Sequence, residues 1–163
     1  MSKKAFTEYY KGGCHAVRSA CEQGARAAEM AEAKFTDTTL KQLAAEGAAM
    51  SDRHQEAFVE FLKDVGEEPN GFQDLMMKGV NDGTEEALKQ ASEAVIVDVA
   101  LVNGAQAGLH YFITGFGTHA TVANALGLSE HGAKLSQMID EAKDLDQRYT
   151  AASAKVISEA AIA

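Results

Sequence analysis

Pro69 is the only proline in 163 residues, so long stretches on both sides of it lack the residue type that stops a helix outright. Thirty alanines, the strongest helix formers, are spread over nearly the whole chain. Apolar positions recur at helical spacings, and no run of alternating apolar and polar residues bounded by turns marks a half-buried strand. The chain reads as all-α.

The spacing predicts a first helix from about Lys4 to Ala33, closing near Lys34-Phe35-Thr36-Asp37. Its inward stripe comprises Phe6, Tyr10, Cys14, Val17, Cys21 and Met30. A second helix opens at Thr36, Asp37 or Thr38, any of which can cap exposed amides, and runs to Val65. Leu40, Leu43, Met50, Ala57, Phe58, Phe61 and Leu62 supply its apolar face. After the turn residues Gly66-Glu-Glu-Pro-Asn-Gly71, a short amphipathic helix from Phe72 to Val80 is expected to stop at Asn81-Asp82-Gly83. Thr84 then starts a helical stretch through Asp98 to about Gly117 or Leu126. Gly127 ends it, and Ser129 caps a last helix reaching almost to Ala163. Short turns make the first two and the last two helices antiparallel neighbours. The expected architecture is a four-helix bundle plus one short connecting helix, with residues 1–163 forming a single domain.

Charge and cysteine usage narrow the function. The net charge of −9 has the wrong sign for binding a phosphate backbone, so no nucleic-acid partner is expected. Cys14 and Cys21 are too far apart on a helix to bridge, which leaves no disulfide framework and makes a reducing cytoplasm the expected location. The start, Met1-Ser-Lys-Lys-Ala-Phe, has no apolar stretch behind its lysines and does not read as a signal peptide. Asp98, Gln106 and His110 interrupt the most apolar segment, so no run is expected to reach the ~18 residues that cross a bilayer. No membrane partner is expected.

A bundle of this size has one obvious chemical option, a pair of metal ions held by Glu from two helices and Glu-x-x-His from two others. Hard iron or manganese ions take oxygen and imidazole ligands. The spacings Glu-x-x-His and His-x-x-Glu occur nowhere in this chain; Glu130-His131 and Arg53-His54-Gln55-Glu56 are the nearest approaches.

The segment from Asp98 through Asn103, Gly104, Gln106, His110 and Tyr111 resembles the signature of the YciE/YciF-type ferritin-like stress proteins. The resemblance continues through Thr114-Gly-Phe-Gly-Thr118, Ala123-Asn-Ala-Leu-Gly127, Leu135, Ile139-Asp140-Glu141, Asp144 and Tyr149-Thr150. Phe58 through Gly66 resembles the end of the family's second helix, and Tyr10 its first-helix tyrosine. The resemblance implies a ferritin-like bundle of four long helices and a short one, usually a homodimer, associated with bacterial stress responses. In many members it implies a di-iron centre.

The ligands implied by that resemblance do not carry over. The family's Glu-His-Tyr reads Leu109-His110-Tyr111, and its tyrosine-x-x-Glu reads Tyr10-Lys-Gly-Gly13. The second-helix histidine falls at Gly47, and the paired glutamates of the last helix read Glu141-Ala142. Leaving some carboxylates buried without a metal would cost on the order of several kcal/mol per ion, so Gly, Leu and Ala are the expected residues of a core that no longer binds one. Glycine inside a helix costs about 0.5–1 kcal/mol relative to alanine, so Gly13, Gly47, Gly104 and Gly108 imply close helix approaches or an opened space.

The expected function is therefore a non-catalytic bundle of bacterial stress-response type, degenerate in its metal site, acting as a structural or interaction module. A small apolar ligand could occupy the former metal cavity, lined by His110, His15, His54, Glu141, Tyr111, Gly13, Gly47 and Leu109. No catalytic residue and no cofactor are expected. The alternative is a metal-dependent oxidase or iron-handling protein holding iron or manganese on an atypical set such as His15, His54, His110 and Glu141.

Overall fold

The structure, a computed structural model, describes residues 3–162. Five helices follow in order: α1 Lys3–Lys34, α2 Thr38–Asp64, α3 Leu75–Gln90, α4 Ala94–Leu126 and α5 Ser129–Ile162. The two closest pairs are α1 with α2 and α4 with α5, each joined by a tight turn. The short α3 packs on α4 and α1.

Caps set the boundaries. The Asp37 carboxylate accepts from the Leu40 amide at 2.9 Å and opens α2, and Asp74 does the same for α3 through Met77 at 2.7 Å. Gly127 closes α4 in the left-handed region, with φ 85°, where a side chain would be strained. The expected stop at Asn81-Asp82-Gly83 is absent: α3 runs through it to Gln90, and the break falls at Ala91-Ser92-Glu93. The Thr84 hydroxyl donates to the Val80 carbonyl at 2.8 Å, so the residue expected to start a helix continues one instead. Ser129 is likewise the first residue of α5 rather than a cap.

Two apolar clusters fill the interior. Tyr10, Cys14, Phe58, Leu62, Phe116 and Leu135 belong to one, and Phe35, Leu40, Leu43, Leu101, Leu145 and Tyr149 to the other. Phe6, expected inward, is 47% exposed because it lies on the first turns of α1, away from both clusters.

Helix α4 corrects a second expectation. Among the described residues it is the one helix long and apolar enough to cross a bilayer, by length and composition alone. Valine, isoleucine, leucine and phenylalanine keep the segment apolar despite Asp98. A third of that window is buried inside the protein. The buried Asp98 carboxylate accepts from the Thr36 amide at 2.7 Å, the Thr36 hydroxyl at 2.6 Å and the Asp37 amide at 3.2 Å. That charge thereby fastens α4 to the α1–α2 turn.

Candidate functional site: the bundle interior

In the first half of α1, Gly13 faces His119 of α4. A Cβ added at Gly13 would fall 1.8 Å from His119 Nε2, so the imidazole occupies the space that a side chain at position 13 would need. His119 Nδ1–H donates to the Gly115 carbonyl at 2.7 Å, which assigns the neutral tautomer and leaves the Nε2 lone pair against the Gly13 backbone. Burial is the first cause of its lowered pKa, only partly opposed by the Gly115 bond.

Next to this contact the interior is aromatic. Phe112 and Phe116 stack with centroids 5.4 Å apart, Phe58 lies 5.9 Å from Phe116, and His54 meets Phe116 edge-on at 5.3 Å. His54 Nε2–H donates to Glu141 Oε2 at 3.0 Å, and Arg53 approaches the same oxygen at 3.3 Å. Burial holds the His54 pKa down despite the carboxylate, so the ring is neutral and its unpartnered Nδ1 is a lone pair rather than a stranded donor. For Glu141, burial pushes the pKa up, but the bonds from His54 and Arg53 outweigh it and hold the group below its ordinary value. Glu141 opens onto a surface groove of about 270 Å³ between α2 and α5, whose walls also carry Glu46, Arg53 and Arg148.

A separate apolar cavity of about 70 Å³ lies farther along the bundle, lined among others by Gly24, Gly47, Met77, Gly104, Leu109 and Phe112. Close approaches explain two of its glycines: a Cβ at Gly24 would meet the Phe112 ring at 2.9 Å, and one at Gly104 would meet Thr84 Oγ1 at 2.2 Å.

The eight residues expected to share one cavity are dispersed. Gly47 and Leu109 line the 70 Å³ space. His54 and Glu141 meet each other, while Gly13 abuts His119. The His110 side chain is 67% exposed, with Nε2 3.2 Å from Asp146 Oδ2 on the outside of the bundle. His15 is buried but directed at Glu67, 4.0 Å away, in the segment before α3. Tyr111 donates to Asp74 Oδ2 at 2.7 Å, locking α4 to the cap of α3. The atypical ligand set His15, His54, His110 and Glu141 is therefore not assembled: only the His54–Glu141 pair is in contact.

A pair of iron or manganese ions would need oxygen and imidazole donors converging from several helices. Among the described residues, no three His, Cys, Asp or Glu side chains are grouped so that they could hold an ion, and the space at Gly13 is taken by an imidazole. The residues present do not fit a two-metal cage. His119 was not singled out from the sequence, although Phe112, Phe116 and His119 follow the i, i+4, i+7 spacing of an inward stripe. The Tyr10–His131–Asp64 chain, in which Tyr10 OH is 2.9 Å from His131 Nδ1 and His131 Nε2 3.1 Å from Asp64, has no local spacing to show it.

Residues 7–162 match the family model described as a domain of unknown function, DUF892. The chain belongs to that family. It is 30% identical to Escherichia coli (strain K12) protein YciF over 76 residues, a match covering 47% of this chain and 46% of that protein, so the matched segment spans about half of that relative's length. The crystal structure of the E. coli stress protein YciF superposes with a TM-score of 0.87 at 20% identity, covering 94% of this chain and 97% of YciF. The structure of YcfI from Rhodopseudomonas palustris gives 0.83 at 21% identity, covering 92% and 94%. Both structural matches show the same fold as this DUF892 chain, and with the family they place it among the YciE/YciF-type bundles.

Proposed function

We propose that this DUF892 chain is a non-catalytic bundle of the stress-response type, a structural or interaction module whose metal site is degenerate. The observation that carries this reading is the Gly13–His119 contact. An imidazole from α4 stands where the resemblance would place a first-helix carboxylate, and beside it Phe58, Phe112 and Phe116 supply rings rather than oxygen donors. The name of the E. coli relative, a stress protein, supports the physiological setting. Pairing into a homodimer, and a cytoplasmic location, belong to the same reading; the apolar surface that Phe72, Leu75 and Met76 expose at the start of α3 supports the pairing.

The test is elemental analysis with an absorption spectrum of protein produced in iron- and manganese-replete medium. Metal-poor, colourless protein is expected. Stoichiometric iron or manganese with charge-transfer absorption would establish the oxidase or iron-handling alternative instead. Light scattering measures the pairing.

A small apolar ligand is a second reading, favoured by the glycine-lined cavity. At about 70 Å³ it is well below the ~300 Å³ at the low end of ordinary ligand sites, so an occupant would have to be very small. Xenon binding followed by 129Xe NMR tests it, with a response lost in Gly108→Leu if the reading holds.

A further inference from the structure

At the end of the bundle where α2 finishes and α5 begins, a hydrogen-bonded chain runs from the surface into the core. The Asp64 carboxylate, 64% exposed, lies 3.1 Å from His131 Nε2. His131 is buried, its ring stacked on Phe61 at 4.2 Å, and its Nδ1 lies 2.9 Å from the Tyr10 hydroxyl, which has no exposed surface. One tautomer satisfies every contact: Nε2–H donates to Asp64, and the Nδ1 lone pair accepts the phenolic O–H. Three groups from three helices are thus aligned for proton movement in one direction, from phenol to imidazole, with a carboxylate waiting to balance the imidazolium.

We propose that Tyr10 is a redox-active tyrosine, with His131 as its proton acceptor and Asp64 as the counter-charge. A one-electron oxidant, such as a diffusible radical or a one-electron metal-complex oxidant, takes one electron from the Tyr10 ring and is reduced by that electron. The phenolic O–H bond breaks and its proton forms a new N–H bond at His131 Nδ1. The products are a neutral tyrosyl radical and an imidazolium paired with the Asp64 carboxylate; returning one electron sends the proton back. Each step conserves atoms and charge and uses only this chain's side chains and the named oxidant.

Other features of the fold agree. Burial, with Cys14 beside it, pushes the phenol's pKa far up, so the proton does not leave by simple ionisation and its transfer is tied to oxidation. Burial also keeps two such radicals from coupling. Tyr9, 55% exposed, is stacked on His119 at 6.1 Å, and His119 lies 6.0 Å from Tyr10, giving an electron a short ring-to-ring path to the surface. Among the described residues Tyr10 alone of the four tyrosines hydrogen-bonds a histidine, whereas Tyr111 donates to the Asp74 carboxylate.

The experiment is oxidation of the full chain with hexachloroiridate(IV) near neutral pH, followed by freezing and electron paramagnetic resonance. The folded protein should give a neutral tyrosyl signal longer-lived than that of the urea-unfolded chain. Tyr10→Phe, which keeps the ring, should reduce the signal to the unfolded background. Tyr9→Phe should slow its formation but leave its spectrum unchanged. Asp64→Asn, at an exposed position and with its fold checked by circular dichroism, should shorten its lifetime several-fold. A signal that survives Tyr10→Phe, or a lifetime that Asp64→Asn does not alter, would overturn the proposal. So would a folded-state signal no longer-lived than that of the unfolded chain.

Discussion

Gly13 and His119 form a matched pair across α1 and α4: the glycine's missing side chain is the imidazole's seat, with Nε2 1.8 Å from where a Cβ would be. Since the far atom belongs to a buried ring held by the Gly115 carbonyl, it has little room to retreat. Gly13→Ala is therefore expected to destabilise by about 2–3 kcal/mol, although alanine is the better helix former. Combining it with His119→Ala should recover part of that loss, giving a non-additive double-mutant cycle in urea unfolding. Additive effects would show that the two residues do not meet.

The cavity glycines make a contrasting pair. A Cβ at Gly108 would meet Met77 Cε at 3.6 Å, an ordinary contact, whereas one at Gly104 would collide with three Thr84 side-chain atoms at 2.2–2.9 Å. Gly108→Ala should thus stabilise the protein by about 0.5–1 kcal/mol through helix propensity and added packing. Gly104→Ala should destabilise it, and thermal unfolding of the two variants side by side decides.

Asp98 carries a buried charge satisfied by three donors of the α1–α2 turn. Replacing it with alanine strands two backbone amides and a hydroxyl, which predicts a loss of about 3 kcal/mol in denaturant unfolding. Asn should cost less, since its carbonyl oxygen keeps one acceptor.

Acid should destabilise the fold. His54 and His119 have folded pKa values below the ordinary 6.5, chiefly because of burial. Between the folded values and 6.5 the unfolded chain binds more protons than the native one, so stability is full above about pH 7 and falls as the pH drops. Each histidine contributes a slope of up to about 1.4 kcal/mol per pH unit. Glu141, also held below its ordinary 4.5, adds a further loss under that pH. Urea midpoints between pH 7.5 and 5 measure this, and His54→Gln, which retains a donor for Glu141, should remove one histidine's share. A midpoint that holds steady or rises on acidification would contradict the assignment.

Much of the architecture was legible in the sequence because it follows from local chemistry. Asp37, Gly127 and the scarcity of proline announced the ends of long helices, and periodic apolar residues announced their inward faces. The α3–α4 break was misread because Asn81-Asp82-Gly83 carries turn chemistry, yet α3 is held helical there by tertiary packing on α4 and α1. His110 looked central because it sits in the most apolar segment. Only the rotation of α4 in the bundle decides that it faces outward while Leu109 faces in. His119, Asp98 and the Tyr10–His131–Asp64 chain depend on partners 60 or more residues away, and no spacing within one helix reports such contacts.

Around Gly13, His54 and His119 the inner surface of this bundle presents rings and lone pairs where a pair of cations would require converging carboxylates. Anomalous diffraction at the iron and manganese absorption edges, from crystals soaked in both ions, tests it most directly. The predicted result is no anomalous peak between the helices around Gly13, His54 and His119. Two interior peaks coordinated from several helices would contradict it.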